Sequence, residues 1–217
     1  MQGRTVPAPP EPVDAVPDAA ARSDAETAHR LRLIGAMAAV LAERPYSQVT
    51  IADIAREARV SKRTFYEHFA TKEACFIACY ATLSEVVLQA TLEATTGDLP
   101  WEKKVRASTR AYLTTLESQP ALTRTLMMDI YAAGPEALRV RRDVQRRFAD
   151  QLRRIVASAR SARNGDEKRP RLSEAMATAV IGGINELVLV AVEEGRADRL
   201  TELAGTADAL LQAVLRS

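Results

Sequence analysis

The fold of this chain is decided by residues 50–73, which read TIADIAREARVSKRTFYEHFATKE. Thr50 is a candidate helix N-cap, and Asp53, three residues later, can reach back to the free amide in a capping box. The apolar positions that follow recur at helical spacing on one face, at Ile51, Ile54, Ala55 and Ala58. Ser61 is a second cap candidate and opens another short helix.

In this second helix the aromatic side chains Phe65 and Phe69 lie on one side, while Lys62, Arg63 and Tyr66 lie mostly elsewhere. Two helices this short are not stable alone in water and need a third helix to close their core. An exposed second helix that carries cations and a tyrosine is typical of a helix-turn-helix whose second helix enters a DNA major groove.

The pattern TIxxIAxxAxVSxxTFYxHFxxKE resembles the DNA-binding motif of the TetR family of bacterial regulators, and it is dense over all of residues 50–73. One position departs from the family, which has glycine in the turn where this chain has Arg59. If that backbone position is left-handed, arginine costs roughly 1 kcal/mol relative to glycine.

The first turn of the second helix supplies the candidate base contacts, Lys62, Arg63 and Thr64. Arginine and lysine can donate to guanine O6 and N7, and threonine can hydrogen-bond a base or touch a thymine methyl. The residues predicted to contact phosphates are Thr50, Ser61, Tyr66, His68 and Lys72. The alternative is a charged face that only meets water.

The rest of the chain predicts an all-α protein of nine helices, with no sustained strand alternation. The helices are expected at about 24–43, 50–57, 61–67, 72–94, 101–118, 121–132, 136–162, 172–194 and 198–215. Three form a DNA-binding domain over 24–71, and residues 72–217 form the effector-binding and dimerisation domain that the TetR resemblance implies. Residues 1–23 are acidic and proline-rich and are expected to be disordered.

The charge distribution supports a basic module beside an acidic tail. The whole chain has a formal net charge of only +2, but residues 29–73 hold eight bases and five acids, and residues 1–28 hold two bases and five acids. A module that is locally basic suits phosphate binding better than the average charge suggests.

Only two cysteines are present, Cys75 and Cys79, which is no disulfide framework and favours a reducing, cytoplasmic setting. Their spacing puts them on one helix face, where a thiol sensor or a metal is conceivable. Because no further ligands lie nearby, we predict core positions, no metal site and no cofactor. The apolar stretch 175–192 is interrupted by Asn185 and Glu186, so a buried helix is favoured over a membrane span.

Aromatic and methionine side chains recur over the fourth to seventh helices, where adaptable side chains with a polar handle can surround an apolar or amphipathic effector. The predicted pocket residues are Tyr80, Trp101, Tyr112, Met127, Met128, Tyr131 and Phe148. Most such residues are ordinary core, and that is the alternative. Nine arginines between residues 139 and 163 are expected to form a solvated face, with an anionic effector or the acidic tail as alternatives.

Small residues in the eighth helix permit close helix approach, so the last two helices are the predicted homodimer interface. The residues assigned to it are Val180, Gly183, Ile184, Leu187, Leu203 and Leu210.

The predicted function is a dimeric DNA-binding regulator, most simply a ligand-responsive repressor of a palindromic operator. The TetR resemblance implies that ligand swings the fourth helix and changes the separation of the two recognition helices. No nucleophile motif, metal cluster or phosphate loop points to catalysis, so an enzyme is not expected. A helical enzyme and a ligand-independent interaction protein on the same fold are the alternatives.

Overall fold

The structure is a computed structural model that describes residues 19–161 and 172–216. Nine α-helices, and no strand, lie within these ranges. Their bounds are α1 Ala19–Glu43, α2 Ile51–Glu57, α3 Lys62–His68, α4 Lys72–Glu93, α5 Trp101–Glu117, α6 Pro120–Asp129, α7 Gly134–Ser161, α8 Glu174–Glu193 and α9 Ala204–Arg216. The all-α, nine-helix prediction is confirmed for this part of the chain.

Several boundaries differ from the sequence prediction, and the larger differences are at α1, at the end of α6 and at the ninth helix. Helix α1 begins at Ala19 rather than at 24, because the alanines that open it have the highest helix propensity. Residues 19–23 are therefore helical, and the remainder of the predicted disordered tail lies outside the described residues. The predicted ninth helix divides into a 3₁₀ helix, Leu200–Leu203, and α9, and another 3₁₀ helix, Tyr46–Gln48, precedes α2. The connection between the predicted seventh and eighth helices, residues 162–171, is also outside the described residues.

The helices share three apolar clusters. The first packs α1, α2 and α3 against α4 and the end of α6, with Leu33, Met37, Phe65 and Phe76 fully buried at its centre. The second lies between α5, α7, α8 and α9, and the third joins α5 and α8 to the second 3₁₀ helix. The core of the helix-turn-helix thus continues into the larger helical region.

Helix α4 packs against α1, α5 and α7, and α8 packs against α7 and α9. Both α4 and α8 are long and apolar enough to cross a membrane by length and composition alone. Core helices share that property, and a third of each apolar window is buried inside this bundle. The structure therefore places both helices as members of the bundle.

Candidate nucleic-acid interface and cavities

Helix α2 begins with the predicted capping box. The Thr50 hydroxyl accepts from the Asp53 amide at 3.2 Å, and the Asp53 carboxylate accepts from the Thr50 amide at 3.0 Å. The same carboxylate accepts from the Thr50 hydroxyl at 2.6 Å and from Arg56 Nη2 at 2.6 Å. These bonds lower the pKa of Asp53 to about 2, with the Thr50 and Arg56 side chains as the largest causes.

The turn between α2 and α3 is a Schellman motif built around Arg59. The Arg59 amide donates to the Arg56 carbonyl at 3.1 Å, and the Val60 amide donates to the Ala55 carbonyl at 2.9 Å. Arg59 has φ +54°, the one positive φ of a non-glycine residue in the described chain. The turn therefore keeps the geometry that glycine favours and bears the strain of a side chain there.

Helix α3 is held by a buried aromatic ring and presents its first turn outward. The Ser61 hydroxyl caps it by accepting from the Thr64 amide at 3.0 Å, and Phe65 is fully buried beneath. Lys62 and Arg63 are exposed, and the Arg63 side chain is 90% exposed with Nε 3.2 Å from a Glu67 oxygen. The candidate base contacts therefore lie together on one outward edge.

The predicted phosphate contacts lie around that edge, and their side chains differ in exposure and in how far they are already hydrogen-bonded. Thr50 and Ser61 are exposed, although their hydroxyls are engaged in the two caps. Tyr66 is exposed beside the Phe65 ring, whereas His68 is half-buried with its ring edge-on to His29.

Lys72 makes contacts that the sequence did not predict. Its ammonium donates to the carbonyl oxygens of Tyr46 at 2.9 Å and Val49 at 2.8 Å, and it lies 4.1 Å from the centre of the Tyr46 ring. Partial burial lowers its pKa, against the charge of Asp129. Two of the three ammonium protons are thus taken by the protein's own carbonyls, and the predicted contact of Lys72 with phosphate stays a prediction.

Tyr46 joins the helix-turn-helix to the rest of the protein, and sequence reasoning missed it. Its amide donates to Asp129 Oδ2 at 2.6 Å, at the end of α6, and its ring packs on Phe76 of α4. Nearby, the Thr125 hydroxyl of α6 donates to the Leu41 carbonyl of α1 at 3.0 Å. The two hydrogen bonds each join residues more than 80 positions apart in sequence, so no local pattern predicts them.

Two adjoining cavities lie in the larger helical region. The outer one has a volume of about 110 Å³ between α4, α5, α6 and α7, and the inner one about 50 Å³ between α4, α5, α7, α8 and α9. Tyr112, Phe148 and Asn185 line both. The Tyr112 hydroxyl donates to Asn185 Oδ1 at 2.6 Å, and its ring meets Phe148 edge-on at 5.6 Å.

Four of the seven predicted pocket residues line these cavities. Tyr80, Tyr112, Met127 and Phe148 do so. Met128 and Tyr131 are instead exposed, since they lie on the outward side at and just after the end of α6. Trp101 packs on the second apolar cluster without lining either cavity. A repeated aromatic or methionine pattern does not reveal which helix faces enclose a space.

The cysteines are core residues. Cys75 and Cys79 are free and fully buried, and burial raises the pKa of each thiol to about 12. A thiol sensor needs an accessible thiol with a lowered pKa, which is the opposite situation. Among the described residues, no group of three or more His, Cys, Asp or Glu side chains is arranged to hold a metal.

The predicted dimer residues divide into two groups. Val180 and Ile184 are buried in the protomer's own core, so they are withdrawn as interface residues. A Cβ atom added at Gly183 would lie 3.2 Å from Leu210, so this glycine permits the approach of α8 and α9 within one chain. Leu187 and Leu203, like Leu210, are half-buried. The exposed apolar face of α8 carries Met176 and Val190 instead.

The fold, the exposed helix and the internal cavities together define a class of protein. A capped helix-turn-helix presents cations on its second helix, and a helical region with internal cavities is joined to it through Tyr46. This is the organisation of a one-component DNA-binding regulator.

Comparison with known families matches residues 33–79 to the bacterial regulatory proteins of the tetR family. The match confirms the TetR resemblance of residues 50–73 and, with it, the prediction of a DNA-binding regulator. Members of that family are regulators rather than enzymes.

Solved structures share the whole fold at low identity. The fatty acid degradation regulator FadR from Bacillus halodurans is 19% identical, with TM-score 0.72 over 87% of this chain and 96% of that one. FadR from Bacillus subtilis, in complex with stearoyl-CoA, is 19% identical, with TM-score 0.71 over 85% and 98%. A tetR-family regulatory protein from Rhodococcus RHA1 is 19% identical, with TM-score 0.64 over 86% and 96%. No curated protein sequence matches the chain.

Proposed function

We propose that the chain is a cytoplasmic, ligand-responsive repressor that binds a palindromic operator as a homodimer. The observation that carries the proposal is the outward first turn of α3, where Lys62 and Arg63 are exposed on a helix that Phe65 anchors. With Thr64 they are the proposed base contacts, and Thr50, Ser61, Tyr66, His68 and Lys72 are the proposed phosphate contacts. A two-fold dimer would present two such helices to two half-sites.

The homodimer is supported by the exposed face of α8. Met176 is 43% exposed and Val190 is 40% exposed on a helix that is otherwise strongly apolar. They fall on one helical stripe with the exposed Ala179 and Glu186, and a second copy of the helix would cover that stripe. The proposed interface is therefore the outer face of α8, with Leu187, Leu203 and Leu210 at its edge.

Ligand response is supported by the position of the cavities. The outer cavity is lined by α4 and α6, and these two helices hold Tyr46 through Phe76, Lys72 and Asp129. A ligand that shifts α6 against α4 would therefore act on the loop that precedes α2. One protein with this fold is in complex with stearoyl-CoA, which supports an apolar or amphipathic effector here.

The function is tested by selecting bound duplexes from a random DNA library with the full chain and measuring affinity against salt concentration. We expect a palindromic consensus and an affinity that falls steeply with salt. Recovery of no preferred sequence would contradict the proposal. If a consensus is found but no bound ligand changes operator affinity, the protein is a ligand-independent regulator instead.

The homodimer is tested by sedimentation of Val190→Lys against the matched control Leu99→Lys, an exposed apolar residue in the loop before α5. We expect the α8 variant to shift toward monomer and the control to remain dimeric, because only the first places a charge in the interface. A Val190→Lys protein that stays dimeric at all concentrations contradicts this interface.

A further inference from the structure

The two cavities lie end to end along one face of α7. Arg141 lines the outer cavity, Phe148 lines both, and Gln151 lines the inner one. Ten residues of α-helix separate Arg141 from Gln151, which is about 15 Å along the helix axis. A molecule that touched both residues would therefore be elongated.

Arg141 is an unpaired cation beside an apolar space. Arg139, Arg146 and Arg153 each pair with an acidic residue three positions earlier on α7, and Arg147 pairs with Glu85. Arg141 has no carboxylate within ion-pair distance among the described residues.

The surroundings of Arg141 are polar but uncharged. Its guanidinium donates to Gln145 Oε1 at 3.2 Å and lies 5.1 Å from the ring centre of the exposed Tyr131, which places it at the outer edge of the cavity. A half-buried cation in this setting would be stabilised by an anion from outside the chain.

Gln151 is an incompletely paired amide at the other end. It is 2% exposed, and its Oε1 lies 3.1 Å from Thr91 Oγ1. Its Nε2 has no hydrogen-bond partner in the described structure. The Thr91 hydroxyl also donates its one proton to the Leu88 carbonyl at 2.7 Å, so either orientation of the amide leaves a polar atom unpaired. An unpaired buried polar atom is costly, and a hydroxyl can satisfy either orientation because it both donates and accepts.

The wall between the cavities consists of side chains. Tyr112 and Phe148 meet edge-on, and the Tyr112 hydroxyl is held by Asn185 of α8. A rotation of the Tyr112 ring away from Asn185 is the side-chain movement that would join the two spaces. Burial of the neutral phenol raises its pKa, so this gate carries no charge.

We propose that the two cavities form one channel for an elongated anionic amphiphile, whose anionic end binds Arg141 and whose far end carries a hydroxyl that binds Gln151. The apolar chain passes the Tyr112 gate between these two ends. This assignment names the ligand class of the effector site and rests on the proposed function.

Calorimetric titration of the full chain tests the assignment with four probes of one chain length: dodecanoate, dodecyl phosphate, methyl dodecanoate and ω-hydroxydodecanoate. We expect the two singly functional anions to bind about tenfold tighter than methyl dodecanoate, which has neither a charge nor a hydroxyl, and ω-hydroxydodecanoate to bind about tenfold tighter than dodecanoate. The stronger of the two anions identifies whether a carboxylate or a phosphate suits Arg141. Equal affinity for the anions and the neutral ester would overturn the assignment.

Single substitutions test the two proposed ligand contacts, at Arg141 and at Gln151, separately. Arg141→Gln should lose about tenfold in affinity for both anions and leave methyl dodecanoate unchanged, while the exposed neighbour Arg142→Gln should match wild type. Gln151→Leu should bind dodecanoate at least as well as wild type and lose the preference for the ω-hydroxyl. If Arg142→Gln loses as much as Arg141→Gln, or if Gln151→Leu keeps the preference, the channel assignment is wrong.

Operator affinity measured with saturating ω-hydroxydodecanoate separates this inference from the proposed function. Binding that follows the variant pattern without any change in operator affinity supports the channel and contradicts ligand response. A protein whose operator is released by another compound, but which binds none of the four probes, keeps the proposed function and overturns the channel.

Discussion

The helix-turn-helix and the cavity-bearing region differ in how tightly their cores are packed and in how fully their polar groups are hydrogen-bonded. Around α2 and α3 the core is closed over Phe65, and the hydroxyls of Thr50 and Ser61 are used as caps. Around α7 two cavities remain, Gln151 has an unpaired amide atom, and Arg141 faces an apolar space without a carboxylate. A DNA-binding surface lies on the outside and needs a rigid support, whereas the proposed effector site needs unfilled space inside the protein.

Tyr46 lies where the two regions meet. Its amide binds Asp129, its carbonyl binds Lys72, and its ring packs on Phe76. Tyr46 thus contacts two of the helices that line the outer cavity, α4 and α6, and belongs to the loop that leads into α2. Under the proposed function, a conformational difference at the cavity would reach the DNA-binding helices through this short set of packed and hydrogen-bonded groups.

The largest expected difference between the regions is in core packing. Phe76→Ala should lower the free energy of unfolding by about 3–5 kcal/mol, because the ring is fully enclosed. Phe148→Ala should lower it by roughly 1–2 kcal/mol, because that ring already faces two cavities. Urea denaturation of both variants measures this, and equal losses would contradict the contrast between a closed core and an open one.

The outer edge of α3 should determine base preference. Lys62→Ala and Arg63→Ala should each cost about 1–3 kcal/mol of operator binding and relax the preference at one base position, if the contacts are bidentate. Competition binding with single-base operator variants measures this. Lys103→Ala, an exposed lysine on α5, is the control, and an unchanged base preference in both α3 variants removes these residues as base contacts.

The contact between the regions can be weakened at one acceptor. Asp129→Ala leaves the Tyr46 amide without its partner, so the free energy of unfolding should fall by about 1–3 kcal/mol. Asp129→Asn keeps an acceptor oxygen and should lose about 1 kcal/mol or less. A denaturation series that finds the alanine variant as stable as wild type would show that this hydrogen bond does not link the regions.

Alkaline pH should lower the stability of the closed core, because two cysteine thiols are buried in it. Cys75 and Cys79 have a raised pKa of about 12 in the folded protein, against 9.0 for an ordinary thiol. The unfolded chain therefore loses these protons first, and folding stability that is present below pH 9 falls as the pH rises toward 12. At pH 10 the expected loss is roughly 1.4 kcal/mol per thiol. The measurement compares Cys79→Ala with wild type between pH 8 and 10, and parallel curves would contradict it.

The smallest expected effect is at the turn. Arg59→Gly should raise the free energy of unfolding by up to about 1 kcal/mol, because glycine adopts the observed φ of +54° without a Cβ clash. Arg59→Ala is the control, since it removes the charge and keeps the clash. If both variants are stabilised equally, the guanidinium rather than the backbone is the source of the strain.

The sequence by itself determined the helix-turn-helix and most helix boundaries. Caps such as Thr50 and Ser61 act within three residues, and apolar spacing repeats within one helix, so these features are local and visible in the order of residues. The left-handed turn at Arg59 was likewise predictable, because it follows a helix end at the position where the family has glycine.

Only the tertiary structure decided which contacts are made between residues that are distant in sequence. Lys72 binds carbonyls of a loop more than 20 residues away, and Val180 turns into its own core rather than toward a partner. The cavities, the unpaired side chains that line them and the Tyr46–Asp129 bond depend on how helices distant in sequence pack together. Helical spacing predicts which side chains share one face of a helix. It does not predict which face lines a cavity, because a cavity depends on how the neighbouring helices pack against that face.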